Sequence, residues 1–178
     1  IYDSALSGTL ELRDSVQGLS YDFDINTSTG AQKLLQYAVA AKNAAGTSYE
    51  SYSTGLVAGK PYALPFHDSF AKGKLAYDLW WLEQTGTGAF ELYTDKSSDN
   101  DGGCFVFRSY LIGDEASVNT GKISLQGAVN PELSFYHFAK PGNRLKLYAD
   151  VYKASGETDS ILVADFSAAQ GEASWQKA

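Results

Sequence analysis

The stretch from Asp99 to Phe138 constrains the fold of this chain more than any other. It reads DNDGGCFVF, then a polar spacer, then ISLQGAVNPELSFYHF. An acidic, glycine-ended turn leads into a dense apolar run. A loop holding Asn130-Pro131 leads into an aromatic run, Leu133 to Phe138. Asp, Asn, Gly and Pro satisfy or preset the unusual backbone angles of turns. The runs between them are short and rich in aromatic and β-branched residues, which reads as strand rather than helix. Both FVF and SFYHF are apolar on both faces and read as central strands. Strand after strand with turn signals between them indicates a β-sandwich or jelly roll.

Composition narrows the function classes. The 178 residues suffice for one or two domains. Twelve Tyr, nine Phe and three Trp suit strands and binding surfaces better than helices. The formal charge is −7, and the fourteen Lys and Arg are scattered, so no phosphate-binding surface is expected and nucleic acid is excluded as a partner. No apolar run has the length to cross a bilayer, so no membrane insertion is expected. The single Cys104 excludes an intramolecular disulfide framework. There is no Met, and the chain opens mid-pattern at Ile1, which reads as a piece of a larger protein with further domains.

A break falls at Gly59-Lys60-Pro61, dividing the chain into residues 1–58, a linker at 59–63, and residues 64–178. In the first part, Leu10, Leu12 and Val16 mark a strand. Ser20 to Ile25 alternates, with Tyr21, Phe23 and Ile25 on one face. The run AQKLLQYAVAAKNAA has high helix propensity, yet Leu35, Tyr37, Val39 and Ala41 also fall on one strand face. Periodicity leaves that run open. In the second part, strands are expected at Phe66–Phe70, Phe90–Tyr93, Cys104–Ile112, Ile123–Leu125, Leu133–Phe138, Leu145–Lys153 and Ile161–Phe166.

YAVAAKNAAGTSYES resembles the end of a fibronectin type III domain, through Tyr37, Val39, Ala41, Asn43, Gly46 and Ser48. The resemblance implies a strand there, with Tyr37 as the tyrosine-corner residue. Such a sandwich takes about 100 residues, so residues 1–58 would be its C-terminal part. The second part resembles the MAM-like jelly rolls of the cleaved-adhesin, or choice-of-anchor, group of secreted Bacteroidetes-type proteins. LPFHDSF (64–70), Trp80-Trp81, DNDGGCFVF (99–107), KISLQGAVNPELSFYHF (122–138), LKLYADV (145–151) and Trp175 carry it. That family domain continues further, so the jelly roll would be incomplete at its C-terminus. The fold expectation is therefore all-β: a partial immunoglobulin-like sandwich plus a jelly-roll β-sandwich.

The acidic turn holds Asp95, Asp99, Asn100 and Asp101 and ends in Gly102-Gly103. Its spacing is not that of an EF-hand, whose twelfth position needs Glu where Arg108 stands. The MAM-like resemblance implies a structural Ca²⁺ between the first strand and this loop, held by Asp68 with Asp99 or Asp101 and a further acid beyond residue 178. The competing reading is a solvated turn with Asx hydrogen bonds and Gly at positive φ.

Adjacent Trp80 and Trp81 point to opposite faces if they lie on a strand. The outer one, with Tyr77, would stack on a sugar ring; the competing reading is core plus an edge contact. His67 and His137 lack metal-site spacing and read as satisfied structural histidines. Cys104 reads as a buried small hydrophobe. Glycoside hydrolysis needs two carboxylates about 5 to 9.5 Å apart, and Glu83 and Glu91 each stand alone on their strands. A further strand-face carboxylate near either would revive that chemistry. Three Asp-Ser-apolar triplets, beginning at Asp3, Asp14 and Asp159, are similar to an O-glycosylation triplet of exported Bacteroidetes proteins. Asn26-Thr27-Ser28 is also an N-glycosylation sequon.

These readings converge on a non-enzymatic adhesion or ligand-presentation module at the cell surface or outside the cell. Its ligand would be a glycan or a surface protein. The alternative is a carbohydrate-binding module attached to a secreted hydrolase.

Overall fold

The computed structural model describes residues 2–4, 10–26, 28–53, 55–139, 143–153, 157–166 and 174–178. Ala5 of the first Asp-Ser triplet and Thr27 of the sequon lie outside the described residues. The protein is all-β. Among the described residues the ladders are antiparallel, consistent with a β-sandwich, and one 3-10 turn at Ala71–Gly73 interrupts the strands. The chain divides into two compact units, residues 1–128 and residues 129–178.

The first unit opens with a five-stranded sheet. Its strands are β1 (Tyr2–Ser4), β2 (Leu10–Leu12), β3 (Lys33–Val39), β6 (Ser51–Tyr52) and β7 (Leu56–Ala58). A small hairpin, β4 (Lys42–Asn43) with β5 (Gly46–Thr47), stands between β3 and β6 in sequence. Its turn follows the expected chemistry: Asn43 Oδ1 accepts from the Ala45 amide at 2.8 Å, and Gly46 has φ +145°.

The run that periodicity left open is strand β3. Its buried residues are Leu35 and Ala38, while Val39 is 56% exposed. The expected single face of Leu35, Tyr37, Val39 and Ala41 is therefore broken. Ala38 lies opposite Tyr2 on one side and Tyr52 on the other, and is fully buried. Residues 20–25 keep their alternation in burial, with Tyr21, Phe23 and Ile25 half-buried and Ser20, Asp22 and Asp24 exposed. They form no ladder among the described residues. Phe23 packs its ring edge-on to Tyr37 at 4.9 Å, and the Arg13 guanidinium lies 4.3 Å from the Phe23 centroid.

Residues 59–63 are woven into this unit. Lys60 donates to Gly30 O, Tyr62 donates to Lys122 O, and Ser124 donates to Tyr62 O. Gln32, 7% exposed, donates to Lys122 O at 2.9 Å and accepts from Lys122 N at 2.6 Å. A side-chain amide thus pairs with the backbone as a neighbouring strand would.

Two further antiparallel pairs complete the unit: β8 (Trp80–Thr85) with β11 (Glu115–Thr120), and β9 (Ala89–Tyr93) with β10 (Cys104–Arg108). Residues 66–70, expected as a strand, instead form a folded-back segment. The Asp68 carboxylate takes the amides of Phe70 and Ala76, and Phe70 has φ +59°. A bulky residue in the left-handed region costs about 1–2 kcal/mol, offset here by burying its ring against Trp80 and Phe105. The strand expected at Cys104–Ile112 ends at Arg108, because Asp114 Oδ2 takes the Tyr110 and Leu111 amides, each at 2.9 Å.

In the second unit, β12 (Tyr136–His137) pairs with β15 (Gln176–Lys177), and β13 (Lys146–Tyr152) forms a hairpin with β14 (Thr158–Asp165). A register shift between Leu147 and Tyr148 places a bulge in that hairpin. Phe135, His137 and Phe166 form a small aromatic group, and Phe138 meets Trp175 edge-on at 5.8 Å.

Candidate functional site

Trp80, Trp81 and Tyr77 separate in the structure. Trp80 faces inward, with centroids 5.2 Å from Phe70, 5.7 Å from Phe105 and 6.2 Å from Phe66. Its indole N–H donates to Asp68 Oδ2 at 3.1 Å. Tyr77 stacks on Phe66 at 4.2 Å and lies 4.7 Å from Tyr62, and its hydroxyl accepts from the His67 amide at 3.3 Å. Both rings belong to the aromatic packing of the first unit, and both are half-buried, as is Trp81.

Asp68 is the polar anchor of that cluster. Its two oxygens accept from Phe70 N at 3.0 Å, Ala76 N at 2.9 Å and Trp80 Nε1 at 3.1 Å. Three donors on one carboxylate explain why a half-buried charge is tolerated among aromatic rings.

The acidic loop does approach the Asp68 segment. Lys72 N donates to Asp101 O at 3.3 Å, and a Cβ on Gly103 would overlap the carbonyl of Phe70. Only glycine permits that approach. Within the loop, Asp101 N donates to Asp99 Oδ1 at 3.3 Å, Gly102 N donates to Ser97 Oγ at 3.0 Å, and Gly102 has φ +75°. The amide of Asp101, then the Ser97 hydroxyl, hold the Asp99 carboxyl below its ordinary range. Asp101 Oδ1 is buried without a partner. Ca²⁺ takes six to eight oxygen ligands. Among the described residues no three His, Cys, Asp or Glu converge on one point, and Asp68 is turned to N–H donors instead.

Trp81 occupies the opposite face of β8 from Trp80. In an antiparallel pair, directly opposed residues share a face. Trp81 lies opposite Asn119, Glu83 opposite Ser117, and Thr85 opposite Glu115. These six residues form one outer face, in which Trp81, Ser117 and Asn119 are half-buried and the other three exposed. A line of hydrogen bonds crosses it: Trp81 Nε1 to Glu83 Oε1 at 3.2 Å, Ser117 Oγ to Glu83 Oε2 at 3.5 Å, and Asn119 Nδ2 to Ser117 Oγ at 3.0 Å. Among the described residues the Trp81 ring stacks on no other aromatic ring. The result is a broad π surface beside oriented donors and acceptors.

Sequence reasoning missed Ser117, Asn119 and Glu115. The signal was present in EASVNT, whose Glu, Ser and Asn alternate with Ala, Val and Thr. Glu115 is a diagonal neighbour of Glu83, a position about 7–8 Å away. It is the further strand-face carboxylate that the sequence reading required for hydrolysis to be reconsidered.

Cys104 is buried, and desolvation pushes its thiol up, as suits a small hydrophobe. His137 is 8% exposed, but its Nδ1 has no partner, so it is not fully satisfied. No family model, curated protein or solved structure matches this chain.

Proposed function

We propose that this chain is a non-catalytic extracellular binding module whose ligand is a glycan, held on the outer face of β8 and β11 around Trp81. The observation that carries this reading is the Trp81–Glu83–Ser117–Asn119 line beside an indole that, among the described residues, stacks on no other aromatic ring. A sugar ring has an apolar C–H face and a polar hydroxyl rim. An indole offers flat apolar area, and fixed polar groups beside it supply orientation and specificity. Extracellular placement rests on the Asp-Ser-apolar triplets and the sequence resemblances. The finer domain types, fibronectin-like and MAM-like, are part of the same proposal.

Glu83 and Glu115 do not turn the face into a hydrolase site in this reading. A glycosidase acid is a carboxyl kept in a sheltered, apolar setting opposite its partner. Both glutamates are exposed on an open strand pair, and Glu83 spends its oxygens on Trp81 and Ser117.

A glycan array followed by isothermal titration tests the proposal. The expected result is micromolar-to-millimolar binding of at least one oligosaccharide. Trp81→Ala would abolish it, with no hydrolysis products on prolonged incubation. Binding that survives Trp81→Ala would place the site elsewhere.

A further inference from the structure

The outer face of β8 and β11 has a second property. The two strands read WWLEQT and EASVNT, with two carboxylates and no Lys, Arg or His. Both carboxylates lie on the Trp81 face. Three other strand carboxylates have cationic partners: Glu91 has Arg108 at 2.9 Å, Asp159 has Lys153 at 2.7 Å, and Asp165 has Lys146 at 4.0 Å. Among the described residues neither Glu83 nor Glu115 is in an ion pair. The face thus joins an indole ring to two negative charges that nothing within the strand pair balances.

Resting on the glycan reading above, we infer that the ligand is a glycan bearing free amino groups, recognised by charge as well as by stacking. An ammonium on the sugar ring would lie between Glu83 and Glu115 while the ring covers Trp81. Such a cation gains both from the carboxylates and from the negative face of the indole. A uronic-acid polymer would be repelled by the same pair and by a chain of formal charge −7. An N-acetylated sugar would keep the stacking and lose the charge contact. The Trp81–Glu83 hydrogen bond fits this role, because it fixes one carboxylate beside the ring before any ligand arrives.

The experiment is isothermal titration of the full chain at pH 6 with three probes: a glucosamine tetramer, its fully N-acetylated counterpart, and a galacturonic acid tetramer. The expected order is glucosamine first, the N-acetylated tetramer at least tenfold weaker, and no binding of the uronate. Glu83→Gln keeps an acceptor for the Trp81 indole. It should weaken the glucosamine tetramer about tenfold, leave the N-acetylated one unchanged, and leave the thermal melt intact. Glu115→Gln should act in the same sense. Raising NaCl from 50 to 500 mM should weaken the glucosamine tetramer alone. Equal or tighter binding of the N-acetylated tetramer, or a Glu83→Gln protein whose preference for glucosamine is undiminished, overturns the charge inference and leaves the glycan reading standing. If none of the probes and no glycan on the array binds, the glycan reading itself fails.

Discussion

Gln32 does with a side chain what a neighbouring strand does with its backbone. Its amide donates to Lys122 O and accepts from Lys122 N, 90 residues away in sequence. It is buried, so water does not substitute freely for a lost partner. Gln32→Ala should cost about 1–3 kcal/mol, because it orphans the Lys122 amide; urea denaturation measures this directly. Asp68 makes a parallel case. Its three donors hold the folded-back segment 66–76 and the Trp80 indole together. Asp68→Asn should destabilise by about 2 kcal/mol, in the range for hydrogen bonds to a charged group. Added Ca²⁺ should leave the melting temperature of both proteins unmoved relative to chelator. An upward shift with Ca²⁺ in the parent, abolished in the variant, would restore Asp68 as a metal ligand. The MAM-like resemblance implied that the Asp68 segment and the 99–103 loop meet. It did not show which way the carboxylate turns, because that depends on Ala76 and Trp80 arriving at the same place.

At the scale of elements, Asp114 decides how β10 ends and β11 begins. One oxygen accepts from Thr87 N, and the other from the Tyr110 and Leu111 amides, joining the β8–β9 turn to the β10–β11 loop. Those amides, Thr87 first, hold the carboxyl well below the usual Asp range. The sign follows from linkage. The folded form binds its proton less readily than the unfolded chain, so the stabilisation is full above about pH 5 and is lost as pH falls through the acid range. Melting temperature should therefore fall more steeply between pH 5 and pH 2.5 in the parent than in Asp114→Asn. The two curves should converge at the acid end. Parallel curves would show that the clamp does not form in solution. The same residue shows why element boundaries were hard to read. The run from Cys104 to Ile112 is apolar enough to continue as a strand, but Asp114 takes the amides a ladder would need. Residues 20–25 fail in the opposite way: their alternation marks a buried face, while a strand also needs a partner. β11 was overlooked because its inner residues, Ala116, Val118 and Thr120, are small and give a weak apolar stripe.

On the scale of the whole molecule, apolar burial is uneven between the two compact units. In the first, Leu35, Ala38, Val57, Ala58, Leu79 and Cys104 are buried, and the Trp80 cluster adds aromatic packing. In the second, Tyr148 and Val151 of β13 and Ile161, Leu162 and Val163 of β14 are each between 45% and 54% exposed. A two-stranded ribbon with little apolar cover is marginal in water by itself. Its bulge at Leu147–Tyr148 weakens the ladder further. Two ion pairs from Lys153, to Glu157 and Asp159, close the turn end of the hairpin. Exposed pairs of this kind contribute about 0–1 kcal/mol, too little to replace a core. Local opening free energy should therefore be lower here than in β3 or in the β8–β11 pair. In native-state hydrogen exchange followed by NMR, the amides of β13 and β14 should exchange at least tenfold faster than those of β3 and β8. Protection of the hairpin equal to that of β3 would mean that its apolar face is covered in solution, by a second copy or by packing within the same chain. A concentration series would separate those two cases, because only self-association makes the protection rise with protein concentration.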